Sequence, residues 1–191
     1  MKQILASTTH RHLLVPFAVL VVLLCSTTMV RAQKAAKLDK DVDKAATQLY
    51  AKSPAAKELA KVAKGILIFP SVKKAGFLIG GQYGEGALRS GGKTTGYYKT
   101  TATSYGLQAG GQKFGYAMFF MKDGAMEYLK KSSGWDVGVG PSFVVVDEGM
   151  ATSLTTTTVK ADIYVFFFSQ KGLMGGLGIQ GSKISQFQPD K

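Results

Sequence analysis

The side chains best suited to nucleophilic and metal-binding chemistry sit at one end of this 191-residue chain: His10, His12 and Cys25 all precede residue 33, and no histidine or cysteine follows. Residues 33–191 therefore lack the parts for a Cys or Ser-His nucleophile and for zinc sites built from Cys and His. They cannot form a disulfide either. Acid–base chemistry would fall to the carboxylates of the glycine-rich portion, Glu85, Asp123, Glu127, Asp136, Asp147, Glu148, Asp162 and Asp190. Glycoside hydrolysis needs two of them across one cleft, and their spacing pairs none. Asp136 and Asp147 are expected at strand or turn edges. No catalytic residue, metal ligand or cofactor is assigned, and the chain reads as a non-enzyme.

Two glycine motifs resemble phosphate loops and fail on context. Gly176-Leu177-Gly178-Ile179-Gln180-Gly181 fits G-x-G-x-x-G, but the KISQFQ after it does not read as the helix whose N-terminus would hold a pyrophosphate. Gly92-Lys93-Thr94 has the end of a P-loop, yet Ala87 stands where the first glycine belongs and TGYYKTT reads as a strand.

What remains is charge. Lys and Arg number 24 against 12 Asp and Glu, a formal +12. That excess suits phosphate-rich or acidic partners: nucleic acid, anionic lipid or acidic glycan. It says nothing of the fold.

Residues 1–32 read as an export signal. Lys2, His10, Arg11 and His12 precede the apolar run from Leu13 to Cys25, and Val30-Arg31-Ala32 supplies a small-residue cleavage site before Gln33. A membrane anchor is the rival, but the run falls short of the roughly 20 residues that span a bilayer. Leu24 before Cys25 argues against lipidation. The expected location is outside the cytoplasm, in the periplasm, on a membrane or secreted. From Gln33 on, 21 basic and 12 acidic residues leave +9.

The elements that must position these charges change character at Gly65. All 23 glycines lie at or after it, which divides residues 33–191 into a helical lead (33–64) and a glycine-rich β body (65–191) of one domain. Leu38, Val42, Ala45 and Leu49 keep helical spacing, with Lys34, Lys37 and Lys44 on the other side. Ser53-Pro54 restarts a helix with a cap residue and a first-turn proline, and Gly65 is expected to end it. There Leu59, Val62 and Ala63 share one face and Lys57, Lys61 and Lys64 project from nearly the opposite one.

From Ile66 the period becomes that of strands. GILIF, AGFLIGG, TGYYKTTATS, YGLQAGG, FGYAMFFM, VGVGPSFVVV, ADIYVFFF and GLMGGLGIQ are β-branched, aromatic or alternating, with glycine and polar breaks. Residues Lys122 to Lys131 read as a short helix between strands. The glycine pairs 84/86, 138/140 and 176/178 share a face at two-residue spacing and predict tight curvature or close packing. The fold class expected is α+β: N-terminal helices packed on a curved, mostly antiparallel, barrel-like sheet with one inserted short helix.

The stretch AKGILIFPSVKKAGFLIGGQYGEG, then GYY, SYGLQAGGQKFGYAMFF, GWDVGVGPSFVVVD and QKGLMGGLGIQGSKI resembles the SYLF domain family, with the motifs in the same order from about Leu49 to the end. The resemblance implies a lipid-binding domain, found in exported bacterial proteins and in eukaryotic membrane-associated ones that bind phosphoinositides. Some of the latter also bind actin, which an exported protein would not ordinarily meet. After Asp147 the family pattern has a glycine-rich turn and an acidic residue before the threonine run. Met150-Ala151-Thr152 and Leu154-Thr155 stand there instead, so no contact of that loop is carried over.

The expected function is docking on anionic phospholipid through a basic face made of Lys57, Lys61, Lys64, Lys73 and Lys74, the last two in the first β turn. Each lysine near an anionic surface contributes about 1 kcal/mol, so four give on the order of a thousandfold in affinity. Lys113, Lys160 and Lys183 read as scattered lysines outside that face. Two other classes fit the composition. A small outer-membrane β-barrel needs only about eight such strands, although FVVV and YVFFF do not alternate. An exported binder of nucleic acid or another anionic polymer could use the aromatic and basic GYYKT to stack bases, but export argues against nucleic acid. N-terminal sequencing of the exported protein is expected to start at Gln33; an intact Met1 or a lipidated Cys25 would refute the signal.

Overall fold

The structure, a computed structural model, describes the backbone of residues 14–77, 79–105, 110–131, 133–146, 160–172, 179 and 181–189, with side chains from residue 33 except at 77, 104, 105 and 172. Helices α1 (Leu14–Lys52) and α2 (Pro54–Val62) precede strands β1 (Gly65–Phe77), β2 (Ile79–Ser90), β3 (Lys93–Tyr105) and β4 (Gly110–Phe120). Helix α3 (Asp123–Lys131), then β5 (Trp135–Asp136), β6 (Phe143–Val146), β7 (Ile163–Gly172) and β8 (Lys183–Phe187) complete the order. The strands form one curled, half-barrel sheet ordered β5-β8-β3-β2-β1-β4-β7-β6. All its pairs are antiparallel except β6 with β7. The α+β architecture, the curved sheet and the inserted helix are as expected.

Both faces of the sheet are packed, which explains the runs that do not alternate. On one face Leu67, Phe69, Leu88, Tyr98, Tyr116, Met118 and Val165 meet Ala125, Met126 and Leu129 of α3 and the buried Trp135. On the other, Ile68, Ala87, Phe119, Tyr164 and Phe166 meet Val42, Ala45 and Leu49 of α1 and Ala55, Ala56 and Leu59 of α2. The α1 stripe is the one its spacing predicts. That of α2 is met in part: Leu59 is buried and Ala63, just past the last turn with its N–H on the Leu59 carbonyl, packs against the same cluster, but Val62 is 45% exposed. Ser53 caps α2 through Ala56 N–H, with Pro54 in the first turn, as read. The end comes earlier than expected, because Gly65 already opens β1. Among the described residues no helix is long and apolar enough to cross a membrane.

Central strand β1 merges GILIF with the start of AGFLIGG. Pro70 has no N–H to give a ladder and falls where β1 holds one residue more than either neighbour: Phe69/Val72 face Tyr116/Phe114, and Ile68/Ser71 face Ala87/Glu85. The bulge absorbs the proline and pairing resumes at once. Lys73 and Lys74 are therefore inside a strand, not in a turn. Gly86 is the residue opposite the bulge. A side chain there would overlap the Ile68 carbonyl oxygen and stand 2.8 Å from Phe69 Cδ1.

Three other segments depart from expectation. Gly138 and Gly140 take φ of 112° and 93°, so VGVGP is a turn and only FVVV is a strand. Gly91 and Gly92, with φ of 57° and 76°, make the two-residue β2–β3 hairpin turn, so the P-loop lookalike is a hairpin. The other lookalike leads into strand β8 and not a helix; Gly176 and Gly178, residues 106–109 of the YGLQAGG strand and the Met150–Thr155 segment lie outside the described residues.

Replacing Gly86 by Ala should cost roughly 2 kcal/mol or more in chemical denaturation, because backbone must move. Gly81→Ala, whose added carbon meets nothing within 4 Å, should stay within about 0.5 kcal/mol of the parent.

Candidate anion-binding surface

Sequence reasoning put five lysines on one face, and the fold separates them. On α2, Lys57 is exposed and Lys61 pairs with Glu58 at 2.6 Å. Lys64 follows the helix, tied to the sheet by its N–H on the Phe120 carbonyl and by Ser90 Oγ on its own carbonyl. Its ammonium lies 3.6 Å from Asp123. The stripe is thus two lysines one turn apart plus a linker lysine, with two carboxylates beside them. Eight residues of nearly extended chain lie between Lys64 and Lys73 farther along β1, a span of roughly 25–30 Å. Lys73 and Lys74 then point to opposite faces of the sheet, as strand neighbours must.

The register makes a different cluster. Lys73 on β1 is the partner of Lys113 on β4, and Lys113 is the partner of Lys171 on β7. Directly opposite side chains lie about 5 Å apart on one face and repel when alike in charge. All three are exposed. Among the described residues none makes an ion pair. Lys113, read as a scattered lysine, is the middle of this row. On the other side of Lys73 the row continues through Tyr83 and Thr101 to Lys183, which faces Asp136 on β5.

Two irregularities build the row. Without the bulge at Pro70, a regular ladder would set Lys73 opposite Gln112 and point it into the α3-side core. With it, Val72 turns inward beside Phe114, and Lys73 turns outward opposite Lys113, whose face β4's own alternation sets. On β7, Ser169 adopts φ 55°, a conformation uncommon for a side-chain-bearing residue. Gly115 faces Phe168 but Lys113 faces Lys171, so this second bulge puts Lys171 where Gln170 would otherwise stand. The α1 and α2 packing occupies the part of this face around Ile68, Ala87 and Phe119, and leaves the Lys73 end open.

Charge is distributed accordingly. Segments 71–84, 101–113 and 170–184 together carry five lysines and no carboxylate. At the opposite end basic and acidic groups are mixed and paired: Lys61–Glu58, Lys64–Asp123, Lys122–Asp162 and Lys131–Glu127. Tyr83, beside Lys73, donates to Glu85 at 2.5 Å. That bond, with some burial and the carboxylate's charge, pushes the phenol up to about 12. The ring stays neutral and half exposed, an amphipathic group at the edge of the lysines.

A cleft of about 510 Å³ opens between α1 and strands β2, β3 and β8. Lys34, Lys37 and Lys99 line it, but so do Asp41 and Glu85, beside Leu38 and Phe187. With Lys37 paired to Asp41 at 3.2 Å, its charge is nearly balanced, a weaker field for an anion than the open row. Farther along α1, Arg89 bonds Asp43 at 2.6 Å and Thr94 at 2.6 Å, while Thr94 and Tyr97 donate to Asp39. This closed network fastens α1 to the sheet.

Several carboxylates have structural partners. Asp162 accepts from Ser142 N–H at 2.9 Å and Ser142 Oγ at 2.7 Å, with Lys122 at 2.7 Å, and joins the starts of β6 and β7. Asp136 ends β5 as an exposed edge residue; Asp147 and Glu148 lie outside the described residues.

Fold and surface together define an α+β protein whose feature of note is an unpaired basic row on an open sheet face. No protein-family model matches the chain, and no curated protein matches it.

The Lys122 and Ser142 hydrogen bonds lower the Asp162 carboxyl to about 2. A depressed folded-state pKa stabilises above the ordinary value near 3.8 and is lost as pH falls toward 2. The melting-temperature gap between parent and Asp162→Asn should be constant above pH 5 and close between pH 4 and 2; a gap unchanged at pH 2 would refute the assignment.

Proposed function

We propose that this chain is an exported, non-enzymatic protein that docks reversibly on anionic phospholipid surfaces, in keeping with its resemblance to SYLF domains. The observation that carries the reading is the Lys73–Lys113–Lys171 row. Three like charges placed directly opposite one another cost stability, and an anionic surface turns that cost into attraction. At about 1 kcal/mol per lysine, the row supplies roughly 3 kcal/mol, or some 150-fold in affinity. That is enough for peripheral, salt-sensitive attachment.

The rival classes have less support. The tyrosines of GYYKT are engaged: Tyr98 is buried on the α3 side and Tyr97 donates to Asp39, so neither ring is offered to a base. A membrane barrel needs a closed sheet with an apolar outer face. Among the described residues β5 and β6 end the strand order, and helices or core segments cover much of both faces. Actin would require a cytoplasmic encounter that export denies.

Flotation with vesicles of phosphatidylglycerol and phosphatidylcholine tests the proposal. The parent should bind these, bind pure phosphatidylcholine far less, and dissociate as salt rises from 0.05 to 0.5 M. Reversing Lys73, Lys113 and Lys171 to Glu should weaken binding at least about 100-fold. The same change at Lys57, Lys61 and Lys64 alters net charge equally and should cost only several-fold. Equal losses would mean that net charge alone acts, and absence of parent binding would refute the function.

A further inference from the structure

Beyond the lysine row toward the β1–β2 reversal, the same sheet face changes to small and apolar residues. The next outward positions are Gly111, Ala75, Gly81 and Thr103, partners across β4, β1, β2 and β3 and all exposed. Beyond them β1 ends at Phe77 and β2 begins at Ile79, which is 63% exposed, among the largest exposures of any apolar side chain described. Ile79 is four residues from Tyr83, and Tyr83 stands in the lysine row, so about 13 Å separate them along the strand. A band of cations, a strip without bulk and an apolar tip follow one another along one sheet face, with no carboxylate in segments 71–84 or 101–113.

Those dimensions match a bilayer boundary. Each headgroup layer is about 5–8 Å deep outside the hydrocarbon core. Lysines held at the phosphates would place a group 13 Å farther on inside the acyl region, and Tyr83 would sit at the interface, where aromatic rings with a polar end collect. We infer that the β1–β2 reversal is an insertion tip: the protein meets an anionic bilayer edge-on, with Lys73, Lys113 and Lys171 at the phosphate level and Ile79 below it. The inference rests on the docking function proposed above and adds the orientation and depth. The occupant is a bilayer and not a soluble anion, because the apolar tip lies too far from the lysines for one small ligand to reach both.

Gly81 and Gly124 provide matched reporters, since an added Cβ meets nothing within 4 Å at either. Gly81 lies between the lysines and the tip, Gly124 on α3 at the far end of the molecule. Cysteine is introduced at one or the other in the full chain with Cys25→Ser, and labelled with nitrobenzoxadiazole. With phosphatidylglycerol-containing vesicles the label at 81 should brighten, shift to the blue and be quenched by lipids brominated on the acyl chain; the label at 124 should remain as in water. Ile79→Asn, which leaves the net charge unchanged, should melt like the parent and bind at least about tenfold more weakly at 0.05 M salt, where the parent is bound. Vesicle binding with a water-like label at 81, or with the response at 124 instead, overturns the insertion tip and leaves the docking function standing. Failure of the parent to bind vesicles removes both.

Discussion

One extra residue in the central strand governs the rest of the molecule. The period of a strand is two, so inserting a residue at Pro70 exchanges the faces of everything after it. Before the bulge Leu67 and Phe69 fill the α3-side core; after it Val72 does, and Lys73 faces out. Because β1 pairs with both β2 and β4, its register shifts by one residue against two neighbours together. Gly86 makes it sterically possible by presenting no side chain to the displaced Ile68 carbonyl and Phe69 ring. Proline, bulge and glycine are one device. Its product is a strand whose first half is buried between helices and whose second half carries charge on one open face.

That division explains why the protein can be both well packed and basic. The half of the sheet near α1, α2 and α3 buries aromatic and branched side chains on both faces, and several of its surface lysines are met by carboxylates. Surface pairs of that kind contribute little to stability individually, but they keep the local field low. In the other half Lys73, Lys113 and Lys171 stand together without an ion pair among the described residues, and the outward face beyond them thins to glycine and alanine. A self-repelling surface is tolerated because the packed half and the Arg89–Asp43–Asp39–Thr94 network hold the fold. Ser169, held at φ 55°, is a second local cost at the same place, and it brings the third lysine into the row. Strained backbone of this kind persists where the surrounding structure over-determines it.

Much of the architecture was legible from local chemistry. Leu38, Val42, Ala45 and Leu49 marked the buried stripe of α1, Ser53-Pro54 marked the start of α2, and Ala125, Met126 and Leu129 marked the inserted helix. Helical spacing and cap residues act over a few positions, so the sequence by itself determines them. It also determined that residues 33–191 lack imidazole and thiol, that charge is strongly positive, and that the glycine-rich part forms strands. The G-G at 91–92 carried its hairpin turn in its own φ preferences.

The basic row was not legible, because it is a property of register. Lys73, Lys113 and Lys171 are 40 and 58 residues apart in sequence, and they meet only because two bulges each move a strand by one position. Helical periodicity made Lys57, Lys61 and Lys64 look like a stripe, since the counter-charges Glu58 and Asp123 come from the side of the helix and from another element. The one signal that could have found the row was the absence of carboxylates from three separate stretches of strand-forming sequence. Which lysines share a face, which are neutralised and which remain open was decided by tertiary structure alone, because strand pairing brings distant residues within about 5 Å while a single inserted residue reverses the side on which they stand.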